Sequence, residues 1–282
     1  MILADLNQVL LSGLMAQIAS QKGIKLEEGL IRHMILNIIR THLKNFREEY
    51  GEVVLCADNR KYWRKEYFPF YKAGRKKTRE KSDLDWHLIF DMLAKFRNEL
   101  RENFPYKVID VEGAEADDII AVLTMKYSAT QKVMILSSDK DFAQLQKYPN
   151  VEQYSPILKK YIKEPLPLLQ LKQLIIRGDK GDGIPNILSR DDCFVTATRQ
   201  KAITEAKIIG WMNQEPKDFC NDLMLRNFSR NETLIDLTKI PDSLKESILH
   251  TYENAKGHSK QDFMNYMIAN RLKNLLNVID EF

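Results

Sequence analysis

The chain has 282 residues but only three cysteines, Cys56, Cys193 and Cys220, which lie far apart in the sequence. Three widely spaced cysteines make neither a disulfide framework nor a zinc-binding pattern, so we expect a reducing, cytoplasmic setting. No apolar run approaches the roughly 20 residues that span a bilayer, so we expect no contact with a membrane. The amino terminus has no basic leader and carries Asp5 within its first apolar run, so we also expect no signal peptide.

Two common phosphate-binding signatures are missing as well. The sequence contains neither a G-x-G-x-x-G loop nor a G-K-[ST] loop. The start Asp5-Leu6-Asn7 lacks the second aspartate of a haloacid-dehalogenase-type start. These absences argue against a phosphate-handling metabolic enzyme.

Positive charge is concentrated in one segment. The net charge is only +4, but residues 60–81 hold ten Lys/Arg and two Glu, a local charge of +8, which leaves −4 for the rest. The same segment contains six aromatic residues. Cations neutralise phosphates and aromatic rings stack on unpaired bases, so the segment predicts nucleic-acid binding. The alternative is a solvated loop with a few packing aromatics.

Short apolar runs alternate with helical patterns in the first half of the chain. We predict strands at about 2–6, 53–57, 108–111 and 133–136, because these runs are too short and too β-branched for helices. A peripheral hairpin follows at 151–155 and 160–162. The helical patterns run to residue 17, from 26 to 46, from 83 to 103 and onward from about 115. This alternation predicts an α/β domain over residues 1–164, with a mostly parallel sheet and helices on both faces.

The pattern changes near Pro165, after which we predict a smaller all-α domain over residues 165–282. Its helices are expected at about 168–177, 200–212, 219–228, 244–254 and 262–276. The first two are joined by a glycine-rich turn at 178–185. Glycine allows close backbone approach, and exposed N–H groups beside a helix bind anions, so the turn suits a nucleic-acid phosphate. Taken alone, the turn is better explained as an ordinary interhelical loop.

Nine acidic residues stand out, and nearly all of them lie where the chain leaves a predicted strand or enters a helix. The carboxyl ends of parallel strands form the ligand crevice of an open α/β sheet, so several carboxylates would converge there. They would repel one another unless cations lay between them, and Mg²⁺ prefers oxygen ligands. Taken singly, the acids at 115–118, at 58 and at 139–141 are also explained by helix capping or a turn. The nine are Asp5, Asp58, Glu115, Asp117, Asp118, Asp139, Asp141, Asp179 and Asp182.

Taken together, these features resemble the flap endonuclease family of structure-specific 5′-nucleases, and within it the phage-type 5′-to-3′ nucleases that remove primers. The resemblance covers most of the chain, and its motifs are specific as a set but weak singly. It is carried by Val54-Leu55-Cys56-Ala57-Asp58-Asn59, Tyr62-Trp63-Arg64, Glu115-Ala116-Asp117-Asp118, Ser137-Ser138-Asp139-Lys140-Asp141-Phe142, Lys147-Tyr148-Pro149-Asn150-Val151 and Gly178-Asp179-Lys180.

The resemblance implies two Mg²⁺ ions, for which Mn²⁺ can substitute, and two sets of ligands. We call Asp5, Asp58, Glu115, Asp117 and Asp139 the first carboxylate group. We call Asp141, Asp179 and Asp182 the second carboxylate group, with Asp118 supporting the site from outside.

The resemblance also places the family's arch at about 60–82 and its helix–turn–helix DNA-binding element at 178–185, often with a bound K⁺. Lys72 and Arg75 would contact the scissile phosphate and, with Asp117, carry catalysis. The implied nucleic-acid contacts are Tyr62, Arg64, Lys65, Tyr71, Lys72, Arg75, Lys76, Lys77, Gly178, Lys180, Gly181 and Gly183.

The expected activity is Mg²⁺-dependent hydrolysis of phosphodiester bonds at 5′ ends of RNA:DNA and DNA:DNA duplexes and at 5′ flaps, as in primer removal during phage-type replication. Branched or nicked duplex DNA and RNA:DNA hybrid are the expected partners, with a single-stranded DNA-binding protein and a sliding clamp by resemblance. We expect a monomer, acting in the host cytoplasm if it is phage-encoded.

Two alternatives stay open: a PIN-type single-stranded ribonuclease, and a non-catalytic scaffold that binds branched DNA. The chain also departs from the family's pattern in one place. Residues 186–199 contain no glycine where many bacterial relatives have a second glycine-rich hairpin, which leaves the second duplex contact open.

Overall fold

The computed structural model describes residues 1–20, 27–75, 85–196 and 198–282. A six-stranded sheet lies at its centre, in the order β3-β2-β1-β4-β5-β6. The first five strands are parallel and β6 pairs antiparallel with β5. The strands are β1 (Ile2–Asp5), β2 (Val53–Cys56), β3 (Lys107–Ile109), β4 (Val133–Leu136), β5 (Val151–Ser155) and β6 (Lys160–Ile162). The predicted mostly parallel α/β fold is confirmed.

The central strands are buried on both faces because their apolar residues alternate between two cores. In β1, Ile2 and Ala4 pack into one core, while Leu3 packs into the other. In β2 the same period of two divides Val53 and Leu55 from Val54 and Cys56. Helices must therefore cover both faces of the sheet.

Each face is covered by helices from both halves of the chain. The first core holds side chains from Leu6–Ser20, Glu28–Tyr50, Trp86–Asn103, Lys260–Ala269 and Lys273–Leu276. The second core holds side chains from Ala116–Tyr127 and Asp242–Asn254. Short 3₁₀ helices lie at Lys140–Lys147, Leu237–Lys239 and Ile279–Glu281.

A third core forms beside the sheet. It joins the helices Pro167–Arg177, Glu205–Met212 and Asp222–Ile235 to Phe68 and Tyr71, which follow the short helix Trp63–Tyr67. A further short helix spans Pro216–Phe219. The boundary near Pro165 remains a prediction, and the helices from Asp242 onward complete the cores of the sheet rather than this third core.

Several predicted helices have different bounds in the structure. The single helix predicted at 262–276 is wrong, because the chain breaks where Arg271 takes a left-handed φ of 56°. The helix predicted from residue 200 begins only at Glu205, where the Thr204 side chain accepts a hydrogen bond from the backbone N–H of Lys207. The helix predicted at 219–228 is Asp222–Ile235. Within the described residues, no helix is both long and apolar enough to cross a membrane.

Candidate active site

The site lies at the carboxyl edge of the sheet, on both sides of β1. The chain winds from β1 to β2 and β3 on one side and returns to β4 on the other, so a crevice opens at this switch point. Asp5 ends β1, Asp58 follows β2 and Asp139 follows β4. The sheet topology therefore gathers three carboxylates that are far apart in the sequence, as the strand pattern predicted.

Local hydrogen bonds fix two of these carboxylates. Asp5 Oδ1 accepts a hydrogen bond from the backbone N–H of Gln8 at 3.0 Å. Asp58 Oδ2 accepts one from Asn7 Nδ2 at 2.8 Å, and its Oδ1 accepts one from the backbone N–H of Ala116, also at 2.8 Å. The start of the helix Ala116–Tyr127 is thereby tied to the end of β2, which holds Asp117 beside the crevice.

A cleft of about 540 Å³ opens above these side chains. One wall carries carboxylates, and Lys72 and Arg75 bring positive charge into the same space. An apolar wall comes from the helix Trp86–Asn103. The lining residues are Asp5, Asn7, Gln8, Leu11, Asp58, Arg60, Lys72, Arg75, Trp86, Phe90, Asp91, Leu93, Ala94, Arg97, Asp117 and Asp139.

Raised pKa values indicate that the negative charge of Asp5, Asp117 and Asp139 is poorly compensated. Burial raises the pKa of Asp5 to about 7, with added repulsion from Asp58 and Asp139. Burial also raises the pKa of Asp117 well above its usual value, and Asp139 and Asp5 repel it further. The pKa of Asp139 is raised chiefly by burial. These carboxylates lie close enough to perturb one another, which is the condition that a bound cation relieves.

The second carboxylate group continues from Asp139 toward the glycine-rich turn. Burial raises the pKa of Asp141 to about 8, with repulsion from Asp139, Asp182 and Asp179. The pKa of Asp179, in contrast, is lowered. Burial opposes its ionisation, but a hydrogen bond from Lys140, whose Nζ lies 2.6 Å from Asp179 Oδ2, holds its pKa below the usual value. The two groups thus form one acidic surface that extends from β1 to the turn.

Glu115 and Asp118 are buried beneath this surface and are paired with cations. Arg64 Nη1 donates to Glu115 Oε2 at 2.9 Å, and Arg64 Nη2 lies 2.7 Å from Asp118 Oδ1. Asp118 Oδ2 accepts a hydrogen bond from the backbone N–H of Glu115, which caps the helix Ala116–Tyr127. Asp118 therefore supports the site from outside the cleft. The outer role of Asp118 at a metal site remains a prediction.

Residues 70–75, which we call the base of the predicted arch, are anchored to both carboxylate groups. Lys72 Nζ donates to Glu115 Oε1 at 2.5 Å and lies 3.9 Å from Asp182 Oδ2. Tyr71 Oη donates to Glu115 Oε2 at 3.1 Å and lies 3.0 Å from Asp182 Oδ2. Arg75 Nη2 lies 2.6 Å from Asp182 Oδ1. These contacts place two cations at the cleft, where they can meet a phosphate.

The glycine-rich turn packs directly on this base. The backbone N–H of Lys72 donates to the carbonyl of Asp182 at 2.7 Å. Gly183 has a φ of 71°, and a Cβ there would lie 2.9 Å from the carbonyl oxygen of Phe70. Gly178 has a φ of 67°, and a Cβ there would lie 2.3 Å from the carbonyl oxygen of Ile184. Both positions therefore require glycine.

The chemistry of the donor set fits hard divalent cations. All candidate ligands are carboxylate oxygens, and Asp141 Oδ1 is buried without a hydrogen-bond donor among the described residues. In the described ranges, no three of these carboxylates are positioned so that they could hold one metal ion together. Lys72, Arg75 and Lys140 hold Glu115, Asp182 and Asp179 respectively, so these three ligands would exchange a protein cation for a metal ion.

Two predicted nucleic-acid contacts are wrong for this arrangement. Arg64 and Tyr71 are each only 2% exposed, because both side chains turn inward to bind Glu115. Lys65, Lys180 and Gly181 are exposed, whereas Tyr62 is half-buried. Lys76 and Lys77 lie outside the described residues. The basic segment therefore uses part of its charge and aromatic area for packing rather than for binding.

The structure adds residues that the sequence pattern missed. Asn7 orients Asp58, and Arg97 Nη1 donates to the carbonyl of Asp58 at 2.9 Å. Lys140 bridges the second carboxylate group. Asn7 lies two residues after Asp5, and Lys140 lies between Asp139 and Asp141, so proximity in sequence could have found both. Arg97 comes from a separate helix and gave no such signal.

Comparison with known proteins agrees with this geometry. Residues 3–168 match the family model of the 5′-3′ exonuclease N-terminal, resolvase-like domain, and residues 167–282 match that of the T4 RNase H C-terminal region. Ribonuclease H of Enterobacteria phage T4 is 34% identical over 99% of this chain and 95% of its own length. Flap endonuclease Xni of Shewanella sp. (strain ANA-3) is 32% identical over 44% of this chain and 48% of its own length.

Solved structures show the same fold. The bacteriophage T5 D15 protein, co-crystallised with metal ions, superposes with a TM-score of 0.57 over 89% of this chain and 98% of its own, at 16% identity. A variant of the T5 D15 flap endonuclease in complex with DNA and metal ions has a TM-score of 0.59 over 90% of this chain and 99% of its own, also at 16% identity.

Proposed function

The chain belongs to the 5′-3′ exonuclease family and is a 5′-nuclease, and on that premise we propose that it uses Mg²⁺ to hydrolyse phosphodiester bonds at the 5′ ends of RNA:DNA and DNA:DNA duplexes and at 5′ flaps. Removal of RNA primers during phage-type DNA replication is the proposed role. We propose two Mg²⁺ ions, with Mn²⁺ able to substitute, and a monomer that acts in the cytoplasm.

One observation carries this proposal. Asp5, Asp117 and Asp139 line the same cleft as Lys72 and Arg75. Carboxylates suit a divalent ion and cations suit a phosphate, so this cleft provides partners for both participants in a metal-assisted phosphoryl transfer. A scaffold that only grips DNA would not need buried acids with raised pKa values beside its basic residues.

The roles of the residues follow from their positions. The first ion would be held by the first carboxylate group, Asp5, Asp58, Glu115, Asp117 and Asp139, and the second ion by Asp141, Asp179 and Asp182. Bound ions would supply an activated water and neutralise charge on the phosphate. Lys72 and Arg75 would leave their carboxylate partners to contact the scissile phosphate and stabilise the charge that develops there. Arg64 keeps Glu115 in place from below.

Duplex contact is proposed at the glycine-rich turn. Gly178, Lys180, Gly181 and Gly183 lie on the turn, which the contacts of Lys72 and Arg75 join to the cleft. A phosphate bound by the turn would therefore stand at a fixed distance from the site of cleavage. We also propose a K⁺ ion at 178–185, and contacts with a single-stranded DNA-binding protein and a sliding clamp.

The test uses 5′-labelled nicked, flapped and RNA-primed duplexes, with single-stranded RNA as a fourth substrate. Wild-type protein and Asp117→Asn are incubated with each substrate in Mg²⁺ or in EDTA. We expect cleavage from the 5′ end by wild type in Mg²⁺ only, while Asp117→Asn binds the duplexes without cleaving them. The matched control is Asp242→Asn, since Asp242 has a highly exposed side chain that pairs with Lys245.

Three results would overturn the proposal. Cleavage of single-stranded RNA alone would favour the PIN-type ribonuclease. Tight binding of branched DNA without cleavage would favour the scaffold. Full activity of Asp117→Asn would remove the acids from the chemistry.

A further inference from the structure

The two carboxylate groups differ in how their charge is balanced. Within the described part of the chain, Asp5, Asp58, Asp117 and Asp139 form no ion pair, whereas Asp179 pairs with Lys140 and Asp182 pairs with Arg75. Four of the five carboxylates in the first group therefore have no competing protein cation, and the exception is Glu115, which pairs with Arg64 and Lys72. In the second group, two of the three carboxylates are paired, and only Asp141 forms no ion pair within the described residues. A divalent ion entering the second group meets cations already in place.

Lys140 is built into the acidic surface. It lies between Asp139 and Asp141, and Asp139 Oδ1 accepts a hydrogen bond from the backbone N–H of Asp141 at 3.0 Å, which fixes this turn. From there the Lys140 side chain crosses to the glycine-rich turn, where its Nζ lies 2.6 Å from Asp179 Oδ2. The ammonium group thus joins the end of β4 to a carboxylate from the other half of the chain.

Both oxygens of Asp179 are occupied in this arrangement. Oδ1 accepts hydrogen bonds from the backbone N–H groups of Gly181 at 2.6 Å and Asp182 at 3.1 Å, and these bonds shape the turn. Oδ2 is held by Lys140. The partner that can exchange without unfolding the turn is Lys140, because its side chain is 54% exposed and flexible.

We propose that Lys140 is a resident counterion of the second carboxylate group, and that a divalent ion binds there only by displacing its ammonium from Asp179. This inference rests on the proposed metal-dependent function and adds the order in which the two ions bind. The ion at the first group binds tightly, and the ion at the second binds weakly because it competes with a charge of the protein itself. Lys140 is therefore a positioning residue that sets the metal concentration at which the second site fills.

Mn²⁺ binding to the DNA-free protein tests this without any substrate. Free Mn²⁺ is measured by electron paramagnetic resonance during a titration of wild type, Lys140→Met and Lys140→Arg. We expect one tight and one weak ion in wild type. In Lys140→Met the weak ion should bind about tenfold more tightly, because a unit positive charge beside a dication has been removed. Lys140→Arg, which keeps the charge, should resemble wild type.

The matched control is Lys132→Met. Lys132 precedes β4 at its other end, has a side chain that is 59% exposed, and pairs with Glu49 at the same distance of 2.6 Å. Its replacement should leave both Mn²⁺ affinities unchanged. Thermal melting in EDTA confirms that each variant is folded.

An unchanged second affinity in Lys140→Met would overturn the inference, and so would a weaker one, which would mean that Lys140 orients Asp179 for the metal. The proposed function fails separately. If Lys140→Met changes the second Mn²⁺ affinity as expected but the wild-type protein has no nuclease activity, the inference about Lys140 stands and the proposed function fails. If the protein is an active nuclease but Lys140→Met leaves the second Mn²⁺ affinity unchanged, the proposed function stands and the inference fails.

Discussion

At the scale of single residues, the acids of this cleft divide by their partners. Glu115 and Asp118 are buried against Arg64, while Asp5, Asp117 and Asp139 face the cleft and perturb the pKa values of one another. The sequence pattern cannot separate the paired acids from the unpaired ones, because the separation depends on which carboxylates Arg64 contacts in the folded protein. The distinction predicts which substitutions affect chemistry and which affect folding.

Lys72 offers the first prediction. Burial disfavours its charge, but the carboxylates of Asp182, Glu115 and Asp117 raise its pKa, so it stays cationic at the cleft. We expect Lys72→Met to lower the single-turnover cleavage rate by about 100-fold or more, as the loss of a charge-stabilising group does. Its substrate affinity, measured by anisotropy in Ca²⁺, should change much less.

Lys65→Met is the control for Lys72, because Lys65 is an exposed lysine of the same segment. It should weaken binding and leave the single-turnover rate at saturation unchanged. An unaltered rate in Lys72→Met would show that Lys72 serves only to hold Glu115.

Asp5 gives a prediction about pH. Its pKa is raised from the ordinary value of 3.8 to about 7, so the folded state binds this proton more tightly than the unfolded state does. Folding stability from Asp5 is therefore present at low pH and is lost as the pH rises toward 7 and above. In EDTA, Asp5→Asn should melt above wild type by a margin that grows between pH 4 and pH 8.

Mg²⁺ should reverse the ranking at pH 8, because wild type gains stability from the bound ion and the variant gains less. Differential scanning calorimetry of both proteins at several pH values measures the margin. A margin that is constant with pH would contradict the assigned pKa shift.

At the scale of structural elements, the turn at 178–185 and the base of the arch act as one unit. Gly183 packs on the backbone of Phe70, and Asp182 holds Lys72 and Arg75. Substitution Gly183→Ala imposes a Cβ at positive φ, at a cost of about 1–2 kcal/mol, and pushes against Phe70. We expect a protein that still folds but cleaves at least about tenfold more slowly, because Lys72 is displaced from the cleft.

Gly210→Ala is the control for Gly183, since no atom lies within 4 Å of a Cβ at that helical position. It should keep full activity and melt at the same temperature or slightly higher. Single-turnover rates and melting curves for the two variants test whether the turn at 178–185 and the base of the arch act as one unit. Equal activity would mean that the turn and the arch base are independent.

The elements also show how far sequence patterns reach. The strands at the sheet edge were predictable because their runs are short, apolar and followed by aspartate, and parallel topology then gathers Asp5, Asp58 and Asp139. The inward orientation of Arg64 and Tyr71 was not predictable. A basic, aromatic segment has the same sequence pattern whether its side chains bind nucleic acid or pack on Glu115. The break at Arg271 was also hidden, since the apolar period continues across it.

At the scale of the whole molecule, positive charge is concentrated in one segment, and the rest of the chain has a slight excess of negative charge. A basic segment stands on a body that carries a slight negative charge, and the exposed Lys65 and Lys180 belong to the arch and the turn respectively. Phosphate contacts release counterions, so binding should weaken steeply with salt. Each of Lys65→Gln and Lys180→Gln should reduce the slope of log K against log[salt] by about one.

Anisotropy titrations of nicked duplex at several KCl concentrations give these slopes. Lys245→Gln is the control, because Lys245 pairs with Asp242 in a helix that packs on the sheet. It should leave the slope unchanged. If neither Lys65→Gln nor Lys180→Gln alters the slope, these residues do not lie on the path of the duplex.

The central claim is that the carboxylates at the sheet edge bring a divalent ion to the scissile phosphate. The most direct measurement is cleavage of a substrate with sulfur in place of a non-bridging oxygen at that phosphate, compared in Mg²⁺ and in Mn²⁺. We expect cleavage to be slow in Mg²⁺ and restored in Mn²⁺, which accepts sulfur more readily, and we expect no restoration in Asp117→Asn. An equal sulfur effect with both ions would show that no metal held by these carboxylates contacts the reacting phosphate.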